Sequence, residues 1–215
     1  MRKGWRGIAP MKKKRQLVLL VLAIAAVVAV TLGIVMLVRF AGSDAPQPAE
    51  LPESYFRTPD WDADILADPV YLALPRQIHF LRDGEGVYYP LDEENYASYG
   101  AAPALLYRYL MSLIRGDCAT YRTLFSDAYL SKEGTISDFT MQRLYGDEET
   151  GIVIRYIGVR GDRPMYSITY CIASGDGTFR RDLRNDTFST VYFFLTPDAD
   201  DPRIDLTLTE SYRVG

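Results

Sequence analysis

The pattern of apolar and polar positions changes character several times along this chain, and the sharpest change comes first. From Leu17 to Val38 run 22 residues without a charge, 15 of them Leu, Val or Ile. As a helix this run is about 33 Å long, enough to cross a hydrocarbon core of roughly 30 Å. It predicts a transmembrane helix over 17–39, longer than the ~7–15-residue apolar region of a cleaved signal peptide. No cysteine follows it before Cys118, which argues against a lipoprotein. Ala25, Ala29 and Gly33 are spaced by four and share one helix face, where small side chains let a second membrane helix approach closely. The next stretch, "AGSDAPQPAELPES", has almost nothing to bury and predicts a semi-extended linker over 40–54.

Residues 55–99 follow as an extension of the outer domain, in which "PVYLAL" and "RQIHFL" predict short strands and "RDGEG" predicts a tight turn. Pro69, Pro75 and Pro90 place these pieces at an edge, since proline cannot donate to a ladder. The main domain, 100–215, opens with a helix. Pro103 suits its first turn, and Ala102, Leu106, Tyr109, Leu110 and Leu113 recur at helical spacing. Gly116 ends that helix and Asp117 caps the next, whose buried face is Tyr121, Leu124 and Phe125. Thr135-Ile-Ser-Asp138 reads as a capping box opening a third helix to Tyr145. From Gly151 the pattern turns to strands: "GIVIRYIGV", "MYSITYCIA", a long third strand from "TFRRDLRNDT" into "FSTVYFFL", and "RIDLTLTESY". In the last, Ile204, Leu206 and Leu208 alternate with Asp205, Thr207 and Thr209. The fold class expected is α+β, with three helices packed on a curved antiparallel sheet behind an N-terminal transmembrane helix.

Charge adds direction. Residues 1–39 carry eight Lys or Arg and no acid, leaving sixteen cations against all 28 acids in the rest. The basic tail, 1–16, is therefore expected in the cytoplasm and the acidic domain outside. An acidic domain repels polyanions, so nucleic acid is a poor partner. Arg115-Gly116-Asp117 and its repeat Arg160-Gly161-Asp162 spell an adhesion tripeptide, yet corner and turn chemistry accounts for both.

Candidate chemistry is sparse. The chain has one histidine, His79, inside the apolar run "QIHFL", where a structural role is expected, so a histidine-bearing triad or metal site would have to rely on that single residue. No phosphate-binding glycine loop and no metal-ligand spacing of acids occurs, so no catalytic residue, metal or cofactor is assigned. The two cysteines, Cys118 and Cys171, could pair outside the cytoplasm. Such a bridge would contribute up to about 4 kcal/mol. Asn185-Asp-Thr187 matches a glycosylation acceptor.

The order of a helix, a "GD" corner, a short aromatic helix ending in "LFSDAYL", a third helix and then a curved meander resembles the nuclear transport factor two-like, or cystatin-like, superfamily over 100–215. The likeness is greatest to its membrane-anchored extracytoplasmic bacterial members. It implies a cone-like α+β barrel. It covers enzymes such as ketosteroid isomerase and polyketide cyclases, and also non-enzymatic scaffold subunits of conjugation and type IV secretion machines, so fold alone selects no function. Two readings stand. One is a single-pass, membrane-anchored binding or scaffold domain of the bacterial cell envelope, with protein partners or self-association. The other is a small-molecule-binding or isomerase-like domain of unknown ligand, with Tyr170 and Tyr192 lining a pocket on the concave sheet face. The topology is testable. A reporter active only outside the cytoplasm, fused after Gly215, should be active while the full-length chain stays in membranes; a released soluble product would overturn the anchor.

Overall fold

The computed structural model describes residues 56–82, 84–183 and 185–211. The membrane helix at 17–39, with its Ala25, Ala29 and Gly33 face, and the flanking tail and linker lie outside the described residues. Among the described residues no helix is long and apolar enough to cross a membrane.

The fold is α+β, built on a mixed seven-stranded sheet. A 3-10 turn (Ile65–Ala67) and a single turn of helix, α1 (Pro69–Leu72), precede the hairpin β1 (Ile78–Leu81) and β2 (Tyr88–Leu91). A second 3-10 turn (Tyr96–Tyr99) leads into α2 (Ala101–Arg115), α3 (Cys118–Thr123) and α4 (Asp127–Glu133). Then come β3 (Leu144–Tyr145), β4 (Ile152–Arg160), β5 (Arg163–Ile172), β6 (Ser189–Leu195) and β7 (Ile204–Ser211). The strand order is β2-β1-β4-β5-β6-β7, with β3 pairing β5 off that path. Leu106, Leu110 and Leu113 of α2 share one core with Ile152 and Ile154 of β4, Ile168 and Tyr170 of β5, and Val191 and Phe193 of β6.

The corner at 115–117 forms as its residues dictate. Gly116 closes α2 in the left-handed conformation (φ 64), and the Asp117 side chain accepts from the Thr120 N–H to cap α3. Gly161 (φ 70) makes the second tripeptide the turn between β4 and β5. His79 is a strand residue of β1, its ring edge-on to Tyr88.

Several expectations are corrected. "PVYL" is α1, not a strand, because the Asp68 side chain caps the Val70 N–H and Pro69 sits in the first turn. The extension read over 55–99 contributes the hairpin β1–β2 to the sheet itself. Its β1 runs parallel to β4, so the sheet is mixed and not wholly antiparallel, while Pro90 falls on the edge strand β2 as its missing N–H requires. The third helix lies at Asp127–Glu133, capped by Ser126, and residues 135–143 are irregular. Helix loses there because tertiary partners take the peptide groups. Arg122 donates to Ile136 O, the Cys118 thiol meets both Phe139 N and O, and Gln142 N–H donates to Leu113 O. Residues 178–183 and 185–188 form no strand, and β6 begins at Ser189.

The last strand shows the largest departure. A bulge between Phe194 and Leu195 shifts the register, so Leu195 pairs Ile204 but Phe194 pairs Leu206. Ile204 is thereby buried in the core, whereas Leu206 and Leu208 join the outer face opposite Phe194 and Tyr192. Thr207 and Thr209 turn inward, opposite Phe193 and Val191.

Where β1 meets β4, Gly151 adopts φ +63, and a Cβ there would stand 2.3 Å from Gln77 O. That carbonyl accepts the Ile152 N–H, the first bond of the parallel pairing. Gly151→Ala should therefore destabilise the domain by about 1–3 kcal/mol in urea unfolding. An unchanged midpoint would show that β1 docks without needing this approach.

Candidate functional site

The helices and loops 134–139 and 178–180 border a cavity of about 470 Å³ beside β7 that is partly open to solvent. Five aromatic rings stand in its walls among polar side chains. Tyr109 comes from α2, Tyr121 from α3, Tyr129 from α4, and Phe139 and Phe179 from the two loops; Ile136, Ser137, Thr178, Thr207 and the charged Glu133 and Arg180 complete the lining. Tyr121 is the hub, with ring centroids 5.4 Å from Tyr109, 5.1 Å from Phe139 and 5.9 Å from Phe179. Tyr109 in turn sets its ring edge-on to Phe193 of β6 at 4.9 Å, joining cavity wall to sheet. Such pairs contribute about 0.5–1.5 kcal/mol each beyond area burial.

Burial pushes the phenols of Tyr109, Tyr121 and Tyr170 well above their ordinary pKa. They are neutral hydroxyls at any physiological pH and serve as hydrogen-bond donors or acceptors. The Tyr170 hydroxyl is buried and has no hydrogen-bond partner in good geometry among the described residues, with Tyr109 as its neighbouring phenol. Arg180 supplies the cavity's cation. Burial opposes its charge, but Asp182 accepts from Nε at 2.8 Å and from a terminal nitrogen, which outweighs burial and raises the guanidinium pKa. The same contact holds the Asp182 carboxyl below its ordinary value against the opposing effect of burial. The third nitrogen, Nη1, makes no hydrogen bond among the described residues, so the guanidinium keeps donor capacity.

An acceptor of protons near neutrality would need a carboxylate whose pKa is raised. The carboxylates that move here, Asp68, Glu85, Asp117, Asp176, Asp182 and Asp198, all move down. Among the described residues no group of three His, Cys, Asp or Glu is placed to hold a metal ion. The arrangement suits holding a flat apolar body against rings, with a polar end at Arg180 and the tyrosine hydroxyls.

Tyr170 and Tyr192 do not line one pocket. The register pairs Tyr170 with Ser189 and Ser167 with Tyr192, which puts the two tyrosines on opposite faces of the sheet. Tyr170 is fully buried in the core. Tyr192 lies in a separate outer-face groove of about 480 Å³ with Arg155, Ser167, Thr169 and Thr190, and its hydroxyl donates to Glu210 at 3.2 Å. The cysteines are free thiols, not a bridge. Cys118 is bonded to the backbone of Phe139, and Cys171 is buried beside Tyr145, where burial pushes its thiol up to about 11. The Asn185 side chain is engaged at both ends by Gly175, accepting from its N–H at 2.7 Å and donating to its carbonyl at 3.2 Å.

Sequence reasoning placed Tyr109 and Tyr121 only as core stripe positions and assigned no role to Phe139, Phe179 or Arg180. Comparison with protein families, curated proteins and solved structures finds no match to this chain. The likeness to the nuclear transport factor two-like superfamily thus rests on element order and the "GD" corner.

Raised phenol pKa values tie the cavity to alkaline stability. An unfolded tyrosine ionises near pH ~10, and a folded one with a higher pKa resists, so stability is complete below about 10 and lost as pH rises. Ultraviolet titration should show exposed tyrosines ionising first and the buried set ionising together with loss of circular dichroism. A single gradual step with the fold intact would contradict the burial.

Proposed function

We propose that this chain is a single-pass, membrane-anchored, extracytoplasmic binding domain whose cavity takes a small, flat, apolar molecule bearing an anionic group. The anchor and orientation draw on the charge-free run 17–38 and the cation-rich tail before it. The observation that carries the binding role is the cavity itself: aromatic walls around space, with Arg180 as the cation at its lining. Ligand sites are commonly concave, mainly apolar and furnished with a few placed polar groups. A scaffold role has its own support in the outer sheet face, where Ile157 and Leu208 are large apolar side chains left exposed. The two roles use opposite faces of one sheet and are compatible.

The cavity reading predicts binding of 2-naphthoate to the full chain in nanodiscs, measured by calorimetry. Arg180→Met should weaken that binding about tenfold or more, since a hydrogen bond to a charged group is worth ~1.5–3 kcal/mol. Phe179→Ala should weaken it as well, by removing a wall. Binding that ignores both substitutions would place the ligand elsewhere and sink the reading.

A further inference from the structure

Phe56 and Arg57 begin the described chain and lie across the loop that builds one side of the cavity. The Arg57 N–H donates to Gly175 O at 3.1 Å, and its Nε donates to Ser174 O at 2.7 Å. The Phe56 ring covers Gly177, where an added Cβ would sit 3.2 Å from the ring. A terminal nitrogen of Arg57 lies 3.5 Å from the Asp176 carboxylate, whose side chain is wholly buried.

Asp176 is also the joint between the two phenylalanine walls. It accepts from the Thr140 hydroxyl, and from the Thr178 N–H at 2.9 Å and hydroxyl at 2.7 Å. Thr140 N–H donates to Thr178 Oγ1 at 3.1 Å. Each threonine directly follows or precedes a wall ring: Phe139 before Thr140, Phe179 after Thr178. Those rings lie 5.5 Å apart and both touch Tyr121. One buried carboxylate therefore binds the strap at 56–57 to both loops of the cavity.

We propose that docking of the Phe56-Arg57 strap and occupation of the tyrosine cavity are thermodynamically coupled through Asp176. This rests on the cavity being a binding site. With the strap docked, a cation faces the buried carboxylate and both threonines are held, so Phe139 and Phe179 stand in place as walls. When the strap leaves, Asp176 is buried without a cation, and the loop gains by turning toward water. That movement draws Thr140 and Thr178, and the rings beside them, away from the ligand. A ligand that needs both rings favours the docked strap, and by reciprocity a docked strap favours the ligand. The strap directly follows the segment read as the membrane linker, so whatever displaces it would empty the cavity.

The test uses the full chain in nanodiscs with 2-naphthoate. Trypsin cuts after Arg57 only when the strap is undocked, because the docked Arg57 is bonded through backbone and side chain. Saturating 2-naphthoate should slow cleavage of the Arg57–Thr58 bond about fivefold or more. Arg57→Met should weaken 2-naphthoate binding by a similar factor, and Asp176→Asn added to it should cause little further loss, as expected of residues acting as a unit. The wild-type cleavage measurement needs no variant to fold. An unchanged cleavage rate, or equal affinities of wild type and Arg57→Met, overturns the coupling and leaves the cavity reading standing. No binding of 2-naphthoate to wild type overturns both.

Discussion

Four rings meet Tyr121, and through them the molecule's parts are held in one arrangement. Tyr109 flanks it from α2 and Phe125 from the corner between α3 and α4, and Phe139 and Phe179 reach it from loops. Tyr109 carries the chain of contacts to Phe193 and so to the sheet. Rings of this size bury area while keeping fixed shapes, so they fill a space without collapsing it. The α3–α4 corner is bonded to the start of β7, where Ser126 N–H donates to Ile204 O and Ile204 N–H to Leu124 O, and the rings line the space farther along the strand beside Thr207. The cavity and the cohesion of the helix layer thus share a cause.

Asp176 performs a second kind of fastening. A buried carboxylate is costly unless its hydrogen bonds and charge are matched, and this one is matched only when residues from three distant stretches converge. Thr140, Thr178 and Arg57 supply that convergence. The irregular segment 135–143 is consequently as well determined as a helix would be. Its peptide groups are held by side chains and by neighbouring backbone in place of a helical ladder.

What could be read in the sequence follows from which interactions are local. The α2 stripe, the Gly116 and Asp117 corner and the core strands β4 and β5 were legible, because propensity, capping and period all act over a few residues. The third helix was misplaced because Thr135-Ile-Ser-Asp138 carries a valid capping signature whose side chains are spent elsewhere: Asp138 pairs with Arg122. The parallel β1–β4 pairing could not be seen, since it joins residues more than seventy apart and leaves no periodic trace. Arg180 and Phe179 were hidden in a run that read as strand. Their place in the cavity depends on Asp176 folding the loop under, a contact no spacing announces. Tyr192 was assigned to the wrong face for want of a register.

The bulge beside Phe194 has a consequence for how this chain can change. Ile204 and Leu206 have the same parity in sequence yet face opposite sides, so β7 is read in two phases on either side of Asp205. At this length of chain Thr207 owes its place in the cavity to the bulge, which sets it opposite Phe193. Removing Asp205 would straighten the strand without exchanging its sides, since Ile204 and Leu206 would still lie opposite Leu195 and Phe194. Closing the bulge at unchanged length would instead set Leu206 opposite Phe193 and turn Leu206 and Leu208 inward, packing the space beside Tyr121 with aliphatic side chains. Whether this protein has an interior to offer is therefore settled by where β7 takes up one surplus residue, so the site tolerates the loss of that residue better than a slip of the strand around it.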